Sequence, residues 1–134
     1  MCGIAGFIQG KSSKININYN AVVNQMADAL EHRGPDDKGI WTDDESKIAL
    51  SYRRLAVIDL SKNGNQPMIS QNNRWIIVYN GEIYNHNQLR KNLDGLGYKI
   101  KWKGTSDTET LLACIEFWGL EKSLSKIVGM FSFS

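Results

Sequence analysis

RWIIVYNGEIYN, residues 74–85, holds the densest strand-forming run in the chain. Residues 75–79 are apolar, aromatic or β-branched without a break, and the run is too short for a buried helix. Asn80-Gly81 then interrupts it before Ile83 and Tyr84 resume. Taken alone, Asn-Gly between two apolar segments is a hairpin signal. Upstream, SKNGNQP (61–67) is a turn-rich loop, and 48–58 reads as a long, partly alternating strand with a shorter one at 40–41. HRGPDD (32–37) closes a helix that Asn18 or Asn20 caps, with Val22, Met26 and Leu30 on one face and Val23 and Ala27 beside them. Residues 3–8 read as a buried strand.

Downstream, Asn85 with Gln88 is placed to cap a helix over 86–96, with Leu89, Leu93 and Leu96 on one face and Gly95 and Gly97 at its end. Residues 98–103 alternate as a strand. Ser106 and Glu109 form a capping box for a helix that buries Leu111, Leu112, Ile115 and Trp118 on one side, with Cys114 as inert core. IVGMFSFS (127–134) begins a last strand. Strands and helices in this order predict an α+β fold, a layered sandwich of sheets and helices.

The totals narrow the function. At 134 residues the chain holds one domain at most. Its 16 Lys and Arg against 14 Asp and Glu are scattered and form no basic run, which argues against nucleic acid. No apolar stretch is long enough to span a bilayer. No charged and apolar leader precedes GIAGFI, and two cysteines make no disulfide framework, so a cytoplasmic setting is expected. His32 and His86 lack metal-ligand spacing with Cys or acids, and no metal is expected.

Cys2 raises a sharper question. So close to the start of the chain, packing alone is a poor reason for a reactive side chain. If Met1 is removed, the thiol and a free α-amine share one residue. An α-amine titrates at about 7.7–8.0, near enough to cytosolic pH to serve as a general base without a large shift. It would take the thiol proton and later return it to a leaving group. Small-residue packing is the plain alternative.

MCGIAGF, HRGPDDKGIW, SYRRLAVIDLS, GNQPM, YNGEIYNHNQLR, GTSDTETLL and GMFSFS, in this order, resemble the glutamine-hydrolysing domain of class II glutamine amidotransferases. Their spacing is similar to the asparagine synthetase branch, and the likeness runs from residue 2 to 133. It implies an N-terminal nucleophile fold, with two mainly antiparallel sheets between helical layers, cut short at its C-terminal end. It makes Cys2 the nucleophile, with Asn80 (side-chain amide) and Gly81 (backbone N–H) as the oxyanion hole. Arg54 would grip the α-carboxylate of glutamine, and Arg53 would face away from it. Glu82 and Asp107 would hold the α-ammonium, and the backbone of Val57 and Ile58 would line the pocket. Asp107 has a second reading as a first-turn acid favoured by the helix dipole. His32 reads as part of a structural turn and His86 as surface at a helix start.

The resemblance further implies that ammonia passes to a synthetase domain or subunit that amidates aspartate. That partner, with its ATP and magnesium, lies outside this chain, which has no nucleotide-binding motif and so no cofactor of its own. An amidotransferase of sugar or surface-polysaccharide assembly shares these motifs. A non-catalytic fragment that binds glutamine or a partner chain is the third reading. A strand begun in the last residues is expected to expose an edge and favour self-association.

Overall fold

Strand β1 (Gly3–Ile8) lies antiparallel to β3 (Ile48–Arg54), and β3 pairs on its other edge with β2 (Asp37–Asp43), in the order β1-β3-β2. The computed structural model describes residues 2–10, 12–13, 15–56, 61–97 and 100–134. As the central strand, β3 is buried from Ala49 to Arg54, and its side chains divide by the two-residue period. Leu50 and Tyr52 face inward, against Val78, Ile4, Trp41 and Ile76. Arg53 faces the other way, toward helix α1 (Tyr19–Ala29).

Helix α1 starts where the sequence places it, because the Asn18 side chain accepts a hydrogen bond from the Ala21 amide at 3.0 Å. Its fully buried residues are Val23 and Ala27, so the face turned to the sheet is offset from the expected Val22, Met26, Leu30 stripe. Small Ala27 lets the sheet come close enough for Arg53 to donate to the Ala27 carbonyl at 3.0 Å and to Asp28 at 2.8 Å.

The second layer is built on residues 76–83. Its first part, β5 (Ile76–Ile77), pairs with β4 (Met68–Ile69). Its second part, β6 (Tyr79–Ile83), pairs with β7 (Gly129–Phe133). Asn80-Gly81 is therefore strand interior, not the turn of a hairpin. The hairpin instead joins β4 to β5, where Asn73 takes the positive φ of 57° and the Ser70 hydroxyl accepts from the Trp75 amide. Glycine at 81 answers a different need: a Cβ there would lie 2.3 Å from the Met130 carbonyl oxygen of β7. Strand β7 has β6 along one edge and no strand on the other among the described residues, and Val78 and Ser134 extend the pairing by exchanging backbone hydrogen bonds at 3.0 Å.

Helices α2 (His86–Gly95) and α3 (Asp107–Trp118) cover the outer face of this layer, and α4 (Leu120–Leu124) leads into β7. Ile77, Tyr79 and Ile83 from the strands meet Leu89, Leu93, Leu111, Leu112 and Ile115 from the helices. The architecture is α+β: helix, three-stranded sheet, second sheet layer, helices. All its pairings are antiparallel among the described residues.

Five local expectations need correction. The strand read over 48–58 stops at Arg54, because the Leu55 backbone turns to the Cys2 sulfur and the Ala56 amide to Asp36. Residues 57–60 lie outside the described residues. The strand read over 98–103 does not form in its described part, 100–103. There the Lys101 and Lys103 carbonyls accept from Gln71 and Asn63 side chains, and the Lys103 amide donates to Glu109, in place of a ladder. Asn85 does not cap α2 with its side chain, which instead holds the Val128 amide and the Lys126 carbonyl, both at 2.9 Å. Leu96 is exposed, and α3 is buried on every side from Thr110 to Ile115 rather than along one stripe.

Candidate active site

Between the two sheet layers, opening beside the start of α3, lies a cavity of about 560 Å³. That is a size ordinary for small-molecule sites. Cys2, Arg54, Asn80, Gly81, Glu82 and Asp107 all line it. They come from four segments distant in sequence. Val57 and Ile58 lie outside the described residues.

Cys2 sits just before β1, and its carbonyl accepts from Arg33 Nε at 3.3 Å. Its Sγ accepts from the Tyr52 hydroxyl at 2.9 Å and from the Leu55 amide at 3.3 Å, while the Leu55 carbonyl is 3.5 Å away. Tyr52 reaches it because β3 presents Tyr52 and Arg54 to one face. Burial is the main reason that the Tyr52 phenol is held far above its ordinary value, and the bond to Cys2 adds to it. The phenol stays protonated and remains a donor.

Arg54 is 7% exposed. Its Nη1 donates to the Ser61 carbonyl at 2.8 Å and to Asn65 Oδ1 at 2.6 Å, and Asn65 is itself tied to Asp37 at 2.6 Å. The guanidinium is thus aimed by a braced partner. Arg53 points to α1, as strand alternation requires.

The backbone of β6 carries the most telling feature. Reciprocal bonds at Val78–Ser134 and the Tyr84 amide on Val128 fix the antiparallel phase. Asn80 and Glu82 therefore turn their amides toward β7, and Tyr79, Gly81 and Ile83 turn theirs away from it. The Tyr79 amide donates to Gln66 Oε1 at 2.5 Å, and the Ile83 amide donates to Asp107 Oδ2 at 2.9 Å. Gly81, between them and on the cavity wall, meets no acceptor among the described residues. Nor does the Asn80 side-chain amide meet a partner among them.

Asp107 opens α3 and is 5% exposed. Its Oδ2 also accepts from the Tyr79 hydroxyl at 2.9 Å, whereas Oδ1 accepts nothing among the described residues. Burial and the nearby Asp107 charge push the Tyr79 phenol well above its ordinary value. Glu82 is exposed at the cavity rim. His32 lies exposed in a short 3-10 turn and takes no part in the cavity, and neither does His86. Cys114 is wholly buried in α3, and burial pushes its thiol up to about 12. Among the described residues, no cluster of His, Cys, Asp and Glu could hold a metal ion, and no helix is long and apolar enough to cross a membrane.

Sequence reasoning missed Tyr52, Gln66 and Asn65. The period-two alternation that separates Arg53 from Arg54 also puts Tyr52 on the cavity face, so that signal was present. Gln66 and Asn65 sit in a loop, where no periodicity orients a side chain.

The glutamine amidotransferase domain profile matches residues 1–134, the whole chain. The chain belongs to that family. Curated relatives of this glutamine amidotransferase domain include asparagine synthetase [glutamine-hydrolyzing] 1 of Bacillus subtilis, 36% identical over 99% of this chain and 20% of the relative. Asparagine synthetase B [glutamine-hydrolyzing] of Escherichia coli is 33% identical over 100% of this chain and 23% of its own length. Amidase chyE of Penicillium rubens is 39% identical over 99% of this chain and 20% of its own. The chain thus spans about a fifth of the length of these relatives.

Proposed function

We propose that the chain releases ammonia from the side-chain amide of glutamine through a γ-glutamyl thioester on Cys2. The observation that carries this reading is the Gly81 amide: of three cavity-side amides on β6, it alone has no acceptor among the described residues, and it shares the cavity with the Cys2 thiol. A backbone donor kept open in this way suits an oxygen that becomes negative only during reaction. The Asn80 side-chain amide, also without a partner among the described residues, would be the second donor.

In the first step the α-amine of Cys2, freed by loss of Met1, takes the thiol proton, and Sγ attacks the amide carbon. The tetrahedral oxyanion lies against Gly81 and Asn80. The C–N bond breaks, the nitrogen receives the proton, and ammonia leaves. Water then attacks the thioester by the same route, releasing glutamate and restoring the thiol. Arg54 would take the α-carboxylate as a charge-assisted pair, and Asp107 Oδ1 with Glu82 the α-ammonium. These charges would orient the substrate and leave its amide end toward Cys2.

The names of the synthetase relatives favour aspartate as the acceptor of the ammonia, in a synthetase domain or subunit where any ATP and magnesium would act. Cys2→Ala in the protein joined to its ammonia-using partner is the test. Glutamine hydrolysis should disappear while product formation from added ammonia survives. Undiminished hydrolysis would remove Cys2 as the nucleophile.

A further inference from the structure

We infer that Tyr52 is the residue that holds the Cys2 sulfur and stabilises its thiolate, a role that rests on Cys2 being the nucleophile. A cysteine with an adjacent α-amine has a base but nothing in that pair fixes where the sulfur points or favours its charge. The structure supplies both from outside. The Tyr52 hydroxyl donates to Sγ at 2.9 Å and the Leu55 amide donates to the same atom at 3.3 Å. Two donors on one sulfur favour the anionic over the neutral form, because a thiolate accepts more strongly than a thiol.

The site is built for this contact. Tyr52 is 5% exposed in the central strand β3, its ring packed against Leu50 and Val78, so the hydroxyl has little freedom to leave the sulfur. Burial keeps the phenol protonated, which makes it a permanent donor rather than a competing base. Leu55 contributes its amide because β3 ends at Arg54, where the backbone leaves the ladder and turns toward Cys2. Strand termination and nucleophile orientation are therefore one feature of the chain. Tyr52 acts through Cys2 and does not take the substrate proton itself.

The test is the pH dependence of Cys2 alkylation by iodoacetamide in the native protein, with and without Tyr52→Phe. Cys114 is wholly buried with its thiol raised to about 12, so the native protein reports Cys2 alone. Loss of a hydrogen bond to a charged group should raise the alkylation midpoint by about one to two pH units. The rate of glutamine hydrolysis near neutral pH should fall by about tenfold or more, with KM little changed, since Tyr52 would not touch the substrate's charged groups. An unchanged midpoint would overturn the inference. Should Tyr52→Phe fail to fold, a tyrosine fluorinated on its ring at position 52 keeps the shape while strengthening the donor. The midpoint should then fall, and an unmoved or raised midpoint would equally overturn the role. Because alkylation needs no turnover, the midpoint judges Tyr52 separately from the Cys2→Ala assay that judges the nucleophile.

Discussion

Arg54 and Asn80 line one cavity, yet their substitutions should fail in different ways. Arg54 is a braced cation 7% exposed, suited to a charge that the substrate carries throughout. Arg54→Ala should therefore raise KM, by a loss of about 1.5–3 kcal/mol, with less effect on kcat. Asn80 offers a donor needed most when the oxyanion forms, so Asn80→Ala should lower kcat by about a hundredfold at similar KM. Steady-state kinetics on both variants decides it, and a pure kcat defect for Arg54→Ala would refute its carboxylate role. Arg54 and Arg53 could be told apart from sequence because alternation alone sends them to opposite faces. The two readings of Asp107 are compatible: it opens α3 as a first-turn acid and, on the cavity wall, keeps an Oδ1 that accepts nothing among the described residues. Asn65 and Gln66 were illegible, since a loop gives a side chain no default direction.

Gly81 shows how an element can mislead when it is read by itself. Asn80-Gly81 has the composition of a turn, but its glycine answers to the approach of β7, whose Met130 carbonyl would lie 2.3 Å from an added Cβ. That partner strand lies about fifty residues downstream, beyond the reach of any local rule. Gly81→Ala should accordingly destabilise the protein by at least about 1–3 kcal/mol, as overpacking does, beside lowering activity. Thermal or denaturant melting would measure it, and an unshifted melt would refute the close approach. The same lesson holds for Asn85. It looks like a cap for α2, but its side chain joins the start of that helix to the segment before β7. Asn85→Ala should cost about 1 kcal/mol or somewhat more, for two hydrogen bonds to backbone that are exposed in part. The missed hairpin between β4 and β5 has a similar cause: its turn uses Asn73 at positive φ with no glycine to announce it.

Across the whole molecule, a layered sandwich of sheets and helices was legible from the order of the elements, whereas two sheets between helical layers came from the family resemblance. Phase details were not legible, and α3 shows why. A helix buried on every side from Thr110 to Ile115 carries no preferred stripe to read. The central cavity also leaves a titration signature. Tyr52 and Tyr79 are neutral phenols held above their unfolded value of about 10, mainly by burial. Their contribution to stability is complete below pH about 10 and declines as pH rises beyond it, because the unfolded chain then releases protons that the folded one retains. Ultraviolet titration should show Tyr52 and Tyr79 ionising only as the protein unfolds. Simple, reversible ionisation of all the tyrosines in the folded protein near pH 10 would contradict this. The central claim, that the cavity delivers the glutamine amide to a chain-terminal Cys2, is tested most directly by covalent trapping. A γ-diazoketone analogue of glutamine alkylates the atom that attacks it, and peptide mass spectrometry then locates the label. The account predicts one label on Cys2 Sγ of a chain beginning at Cys2, reduced by Arg54→Ala and absent in Cys2→Ala. A label on any other residue, or on a chain that retains Met1, would contradict it.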